Sequence, residues 1–201
     1  MSKSIQELSD RFAQMPGIGP RQARRIVQFL LRSNDRYKKE LATHIQTIAE
    51  TVSQCSFCHK YDEVNSDLLC VLCADKNRDI TSLFVVEKDV DVDGIESAGV
   101  HHGKYFVLGG LIPISQNRKS AVDPRTQLLY RSIKENPTIT EVILGFATTP
   151  EGDNTARELR KEITRLFPTT TVSLLGRGLS LGAEIEYADQ ETIRSAFQGR
   201  N

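Results

Sequence analysis

No tryptophan occurs among the 201 residues, aromatic side chains make up 6%, and methionine appears twice. With an apolar fraction of 39%, that is the composition of an ordinary soluble protein with a modest core. No apolar run approaches the roughly 20 residues that cross a bilayer, which argues against a membrane-spanning helix. The opening segment MSKSIQELSDRF lacks the apolar stretch of a secretory signal, so a cytoplasmic setting is expected. Net charge is absent as well. The 26 Lys and Arg balance the 26 Asp and Glu, and the total argues neither for nor against nucleic acid. No GxxxxGK[S/T] segment is present, which makes a nucleotide site of that type improbable. Finally, no cysteine lies outside residues 55–73.

The four cysteines form Cys55-x-x-Cys58, eleven residues, then Cys70-x-x-Cys73. A two-residue gap lets one tight turn present both sulfurs about 2.3 Å from a common ion. Four thiolates in two such turns are what a tetrahedral Zn²⁺ requires, and Fe at a rubredoxin-like site is the main competitor. Two disulfides suit a secreted chain, and a redox CxxC normally comes singly beside a strand–helix unit. A closed four-ligand site has no open position for substrate, so a structural metal is expected.

Charge is unevenly spread along the chain. Residues 1–40 carry nine basic side chains against four acidic ones, whereas residues 79–100 carry six acidic against one basic. That polarity predicts a phosphate-facing end and a metal-facing or partner-facing segment. At the basic end, Ile5–Ala13 reads as a helix broken by Met15-Pro16-Gly17-Ile18-Gly19-Pro20. A second helix starts near Pro20, whose missing N–H costs nothing at a first helical position. Ala23, Ile26, Val27, Leu30 and Leu31 share one face of it, while Arg21, Arg24, Arg25, Gln28 and Arg32 share the other. Gly17 and Gly19 let backbone approach a ligand closely, and a helix start beside arginines is an anion site. The same residues also fit a glycine-cornered helical hairpin with a solvated arginine face. A third helix, Tyr37–Ser53, places Leu41, Ile45 and Ile48 inward.

After Cys73, short β-branched runs alternate with helical stretches. Strands are expected at Leu83–Glu87, Tyr105–Leu108, Glu141–Gly145 and Thr171–Leu175, and helices at Val90–Ala98, Arg125–Asn136 and Asn154–Phe167. Such alternation predicts an α/β fold with a mostly parallel sheet, behind an N-terminal all-α part. Ligands gather at the carboxyl ends of strands in such sheets. Glu87, followed by Asp91, closes the first strand; Gly109-Gly110 opens a loop over 111–124 that reads as mobile; Glu151-Gly152-Asp153 follows the third. Hard carboxylate oxygens would suit Mg²⁺, and the same acids would also serve as helix caps. The tail, Arg177 to Asp189, reads as a glycine turn, a strand at Ile185–Tyr187 and a last helix at Gln190–Phe197.

The segment MPGIGPRQARRI resembles the helix-hairpin-helix modules that hold DNA phosphate without reading sequence. The acids after the strands resemble the Toprim domain, which holds Mg²⁺ with a glutamate and an acid-x-acid pair. Taken in order, MPGIGPRQARRI, the two CxxC turns, FVVE, TTPEGDNTA and RGLSLGAEIEYAD resemble the RecR family of bacterial recombination mediators over essentially the whole chain. The sequence departs from the family pattern at Asp153, Ser180 and Ala183. The resemblance implies four regions: helix-hairpin-helix over 1–53, a four-cysteine zinc finger over 54–78, Toprim over 79–175 and a C-terminal tail over 176–201. It implies a non-catalytic role in DNA repair and recombination, acting with RecO or RecF to help load RecA on single-stranded DNA. Dimers or ring tetramers are implied too. By position, Gly17, Gly19, Arg21, Arg24 and Arg25 would contact DNA, and Cys55, Cys58, Cys70 and Cys73 would hold one structural Zn²⁺. Glu87, Asp91, Glu151 and Asp153 would contact a partner or, less in keeping with the family, Mg²⁺. The competing expectation is a small Mg²⁺-dependent Toprim nuclease or primase-like enzyme. No histidine stands near the acids to serve as a general base, since His101 and His102 read as surface residues in a loop.

Overall fold

A computed structural model describes residues 2–114, 125–176, 178–179, 182, 184–188 and 190–198. The remainder of the loop expected over 111–124 lies outside the described residues, as do Arg177, Ser180, Ala183 and Asp189 of the tail. The chain divides into two compact units, Met1–Val52 and Ser53–Asn201.

The first unit is all helix: α1 (Lys3–Ala13), α2 (Pro20–Arg32) and α3 (Asp35–Thr51). Pro20 occupies the start of α2, and Gly19 is its N-cap. Gly17 has φ +75°, a left-handed backbone that a side chain would strain. Asn34 caps α3 by accepting from the Tyr37 amide at 2.7 Å. In this unit only Ser9, Ala23 and Val27 are buried among the described residues. Leu31, Ile45 and Ile48, expected to face inward, are exposed. With Ile5, Leu8, Phe12 and Leu41, two of them (Leu31 and Ile45) line an open apolar groove of about 360 Å³. Periodicity identified the apolar face correctly, but nothing within the described unit covers all of it.

From the boundary onward run β1 (Val52–Gln54), paired with β2 (Tyr61–Glu63), the short α4 (Val71–Ala74), and a four-stranded sheet. Its strands are β3 (Asp79–Val86), β4 (Gly103–Val107), β5 (Glu141–Gly145) and β6 (Thr171–Leu174), in the order β4-β3-β5-β6 and all parallel. Helices α5 (Asp89–Ala98), α6 (Thr126–Glu135) and α7 (Pro150–Leu166) supply the crossovers, and α8 (Gln190–Gln198) ends the chain. Glu87 thus lies one residue beyond β3 rather than closing it. α7 begins at Pro150, four residues before the expected start, because proline is well suited to a first helical position. Ile185–Tyr187, expected as a strand, is a single 3-10 turn.

Alternating side chains give the sheet two apolar faces. Leu83, Val85, Phe106, Leu108, Val142 and Leu144 pack with Leu129 and Ile133 of α6 and Leu159 and Ile163 of α7. Phe84, Val86, Tyr105 and Val107 pack on the other face with Val92 of α5 and with Cys55, Cys58 and Cys70. The cysteine module is therefore part of one wall of the α/β core.

Candidate functional sites: a cationic helix face and a four-cysteine centre

On α2, Arg21, Arg24, Arg25 and Arg32 fall at spacings that share a face. They line an open groove of about 730 Å³ together with Phe29. None of the four side chains makes an ion pair or hydrogen bond with a described residue, whereas Lys3, Arg36 and Lys38 of the neighbouring helices each pair with an acid within one helical turn. At the helix start, the Ala23 amide bonds the Gly19 carbonyl at 3.0 Å and the Ile18 amide bonds Met15 O at 3.1 Å. The amides of Gly17, Gly19, Arg21 and Gln22 donate to no described group. Free N–H groups, the positive end of the helix and unpaired arginines converge there, the elements of a phosphate-binding corner.

The four cysteine Sγ atoms lie within 4.8 Å of one another. Cys55, Cys58 and Cys70 are buried, and Cys73 is partly buried. Two features build the site. His59 and Leu68 take left-handed φ of 61° and 59°, which turns the chain sharply at each knuckle. The Cys70 amide donates to Cys55 Sγ at 3.4 Å, a bond that favours thiolate. Hydrogen bonds from Cys58, then Cys70 and Cys73, draw the Cys55 thiol far below its usual range; sharing with Cys55 pushes Cys58 and Cys73 far above it. Four such groups cannot ionise together without a cation between them. The donor set fits a tetrahedral metal ion and, among the described residues, is the one group of three or more metal-binding side chains this close.

The module is fastened to the sheet's edge strand. The Val107 amide of β4 donates to the Cys58 carbonyl at 2.7 Å, and Lys104 Nζ donates to the carbonyls of Cys73 and Asp75, each at 3.0 Å. Arg125 Nη1 donates to Val107 O at 2.9 Å and His59 O at 3.4 Å, and its guanidinium fills the space a side chain at Gly109 would need, where φ is +78°. An open strand edge is thereby covered.

The acidic segment after β3 is largely spent on internal contacts. Asp89 accepts from the Tyr61 amide at 3.3 Å, Asp93 pairs with Lys60 at 3.2 Å, and Asp91 accepts from the Lys88 amide at 2.8 Å as part of the α5 cap. Glu96 takes a bidentate ion pair from Arg78, whose side chain is 9% exposed, and a 2.5 Å bond from Tyr105. Within the segment expected to face a metal or partner, Asp89, Asp93 and Glu96 thus knit the module and strand β4 to α5.

Glu87 stands at the carboxyl end of β3, paired with Lys88 at 3.2 Å. Glu151 and Asp153 lie in the first turn of α7, after β5. Val86 is in register with Gly145, so both acidic segments flank the crevice between adjacent parallel strands, where the chain order reverses. Asp91 is held by its cap instead. Two residues the sequence reading passed over hold the crevice: Asn154 Nδ2 donates to Ile112 O at 3.1 Å, and Thr155 Oγ1 accepts from the Ile112 amide at 2.8 Å. Their signal was the run of small polar residues after Asp153, taken as ordinary helix.

Comparison with known proteins matches three family models: RecR helix-hairpin-helix over residues 5–49, Toprim domain over 81–175, and RecR C-terminal over 178–201. Proteins named Recombination protein RecR align over nearly the full length. The one from Pelodictyon phaeoclathratiforme is 34% identical over 99% of this chain and 97% of its own. Those from Porphyromonas gingivalis and Cutibacterium acnes are 36% and 37% identical, covering 99% and 98% of this chain and 93% and 94% of theirs. The chain belongs to the RecR family. Within that family framework, the α2 corner lies in the helix-hairpin-helix segment, and Glu87, Glu151 and Asp153 lie in the Toprim segment. No described helix is long and apolar enough to cross a membrane.

Proposed function

We propose that this protein is a non-catalytic mediator of recombinational DNA repair, binding DNA through backbone phosphate without reading its sequence. The carrying observation is the α2 corner, where the unpaired side chains of Arg21, Arg24 and Arg25 follow four free amides within the first two turns. Phosphate neutralisation supplies sequence-independent affinity, and bases need not be touched. Gly17 and Gly19 shape the turn; Arg21, Arg24 and Arg25 supply charge.

The four cysteines hold one structural Zn²⁺, the ion that closed four-thiolate sites take most readily. Glu87, Asp91, Glu151 and Asp153 serve partner contact or local capping rather than chemistry. RecO or RecF is the partner in this reading, and loading of RecA on single strands in the cytoplasm is the outcome. The four regions 1–53, 54–78, 79–175 and 176–201 divide the labour. Self-association into dimers or a ring tetramer is supported by the 52-residue first unit, whose small core and open apolar groove leave it short of buried surface. Several weak corners held in one assembly add by multivalency.

The test is fluorescence anisotropy with Arg24→Ala/Arg25→Ala over a salt series. Loss of two phosphate contacts lowers affinity for every sequence and flattens the slope of log K against log[salt] by roughly 1–2. An unchanged slope would refute the corner. The crevice between β3 and β5 favours one rival, a Mg²⁺-dependent nuclease or primase-like enzyme. Metal-dependent cleavage or primer synthesis that disappears in Glu87→Ala would establish the rival instead.

A further inference from the structure

Phe29 is the one large apolar residue lining the cationic groove of α2, and it is 58% exposed. A single exposed phenylalanine is commonplace. This one has two neighbours of consequence. It shares its groove with Arg21, Arg24, Arg25 and Arg32, all unpaired, and no acid lines that groove. It also meets the Tyr37 ring at 5.7 Å between centroids and 85° between planes. Tyr37 is 42% exposed and sits in the first turn of α3, its amide fixed by Asn34. An edge-to-face pair fixes the orientation of both rings. The result is an oriented aromatic surface, open to solvent, within a strip of cations running about 16 Å along the helix at 1.5 Å per residue.

A duplex offers this face only phosphates, because its bases are stacked inside. A single strand offers phosphates and bases together, and aromatic rings beside cations are the general means of holding unpaired bases. We infer that Phe29, backed by Tyr37, is a stacking platform for an unpaired base, so that α2 prefers single strands over duplex. The inference rests on the phosphate-binding reading of α2 and adds the selectivity that phosphate contacts cannot supply.

The experiment measures full-length protein against an oligo-dT single strand and a duplex of equal nucleotide count. Variants are Phe29→Ala, Phe29→Trp and Arg24→Ala/Arg25→Ala. Phe29→Ala should weaken single-strand binding roughly tenfold, within the usual range for one stacked base, and leave duplex binding within about twofold. Phe29→Trp should restore single-strand affinity. Because the chain has no other tryptophan, its fluorescence should be quenched by the single strand and much less by the duplex. Since Phe29 is exposed, the alanine variant leaves no core cavity, and circular dichroism should be unchanged. Equal losses on both ligands, no loss on either, or an unquenched tryptophan would overturn the inference. If the arginine variant also binds normally, the phosphate reading falls with it; if only that variant binds poorly, the stacking platform alone fails. A change in solution mass with strand selectivity intact would assign Phe29 to contact between copies, and would equally overturn it.

Discussion

Replacing Cys73 with serine removes one thiolate from the proposed metal centre while disturbing little else. Cys73 is the one of the four that is only partly buried, and serine is close to it in size, so the change opens little cavity. Its backbone carbonyl, which accepts from Lys104, is untouched. Structural Zn²⁺ binding supplies apparent free energies of about 10–16 kcal/mol, so one ligand in four corresponds to about 3 kcal/mol. Domains are stable by only about 5–15 kcal/mol, so that loss is a large fraction. At about 2–4 °C per kcal/mol for a unit of this size, the melting temperature should fall by about 6–12 °C. The loss should reach the sheet, because Cys58 O and Cys73 O are anchored to Val107 and Lys104 of edge strand β4. Thermal melts by circular dichroism, paired with metal content per chain by mass spectrometry, check it. A strong chelator should reproduce the fall in the parent protein. The reasoning fails if the parent carries no metal and chelator leaves its melt unmoved, or if Cys73→Ser binds a full equivalent and melts with the parent.

Two further outcomes follow from the α/β unit. A Cβ at Gly152 would collide with the Ala147 carbonyl oxygen, so Gly152→Ala should destabilise by about 1–3 kcal/mol in urea melts and displace the first turn of α7. His101 lies edge-on to Phe84 and Tyr105, with Nε2 facing Lys104 O at 3.2 Å. Burial first, then the nearby Arg78 charge, lowers its pKa from the ordinary value near 6.5, against opposing pulls from Lys104 O, Glu96 and Asp79. A depressed histidine contributes stability above its unfolded pKa and loses it as pH falls through the folded one. The melting temperature should therefore drop as pH is lowered from 7.5 toward 5, and His101→Gln should show a smaller drop. An equal drop in both proteins would remove His101 from the account.

What the sequence disclosed was whatever chemistry is local. The clustering of the four cysteines was legible because each knuckle is closed by residues three apart, and the form of the α2 turn because proline and glycine act within two turns of helix. Strand cores were legible since Leu83–Val86 and Glu141–Gly145 alternate or run apolar over the length the sheet needs. What was hidden depends on partners far along the chain. Arg125 takes its meaning from carbonyls at Val107 and His59, and Asn154 and Thr155 from Ile112 on another loop. No spacing rule connects those positions. The pairing of the acidic segment was hidden for the same reason: Lys60 and Arg78, outside the segment, answer Asp93 and Glu96. Ile45 and Ile48 misled differently. Helical periodicity reports that a face is apolar and not which molecule covers it. That distinction gives their exposure a meaning consistent with the rest of the molecule. A unit that leaves an apolar groove open on one set of helix faces, and four unpaired arginines with two oriented rings on another, has two unsatisfied surfaces of opposite chemistry. Apolar surface is satisfied by protein, and cationic surface by phosphate. Under the proposed reading, a mediator that assembles and holds DNA at once would use both, and on this unit neither occupies the other's place.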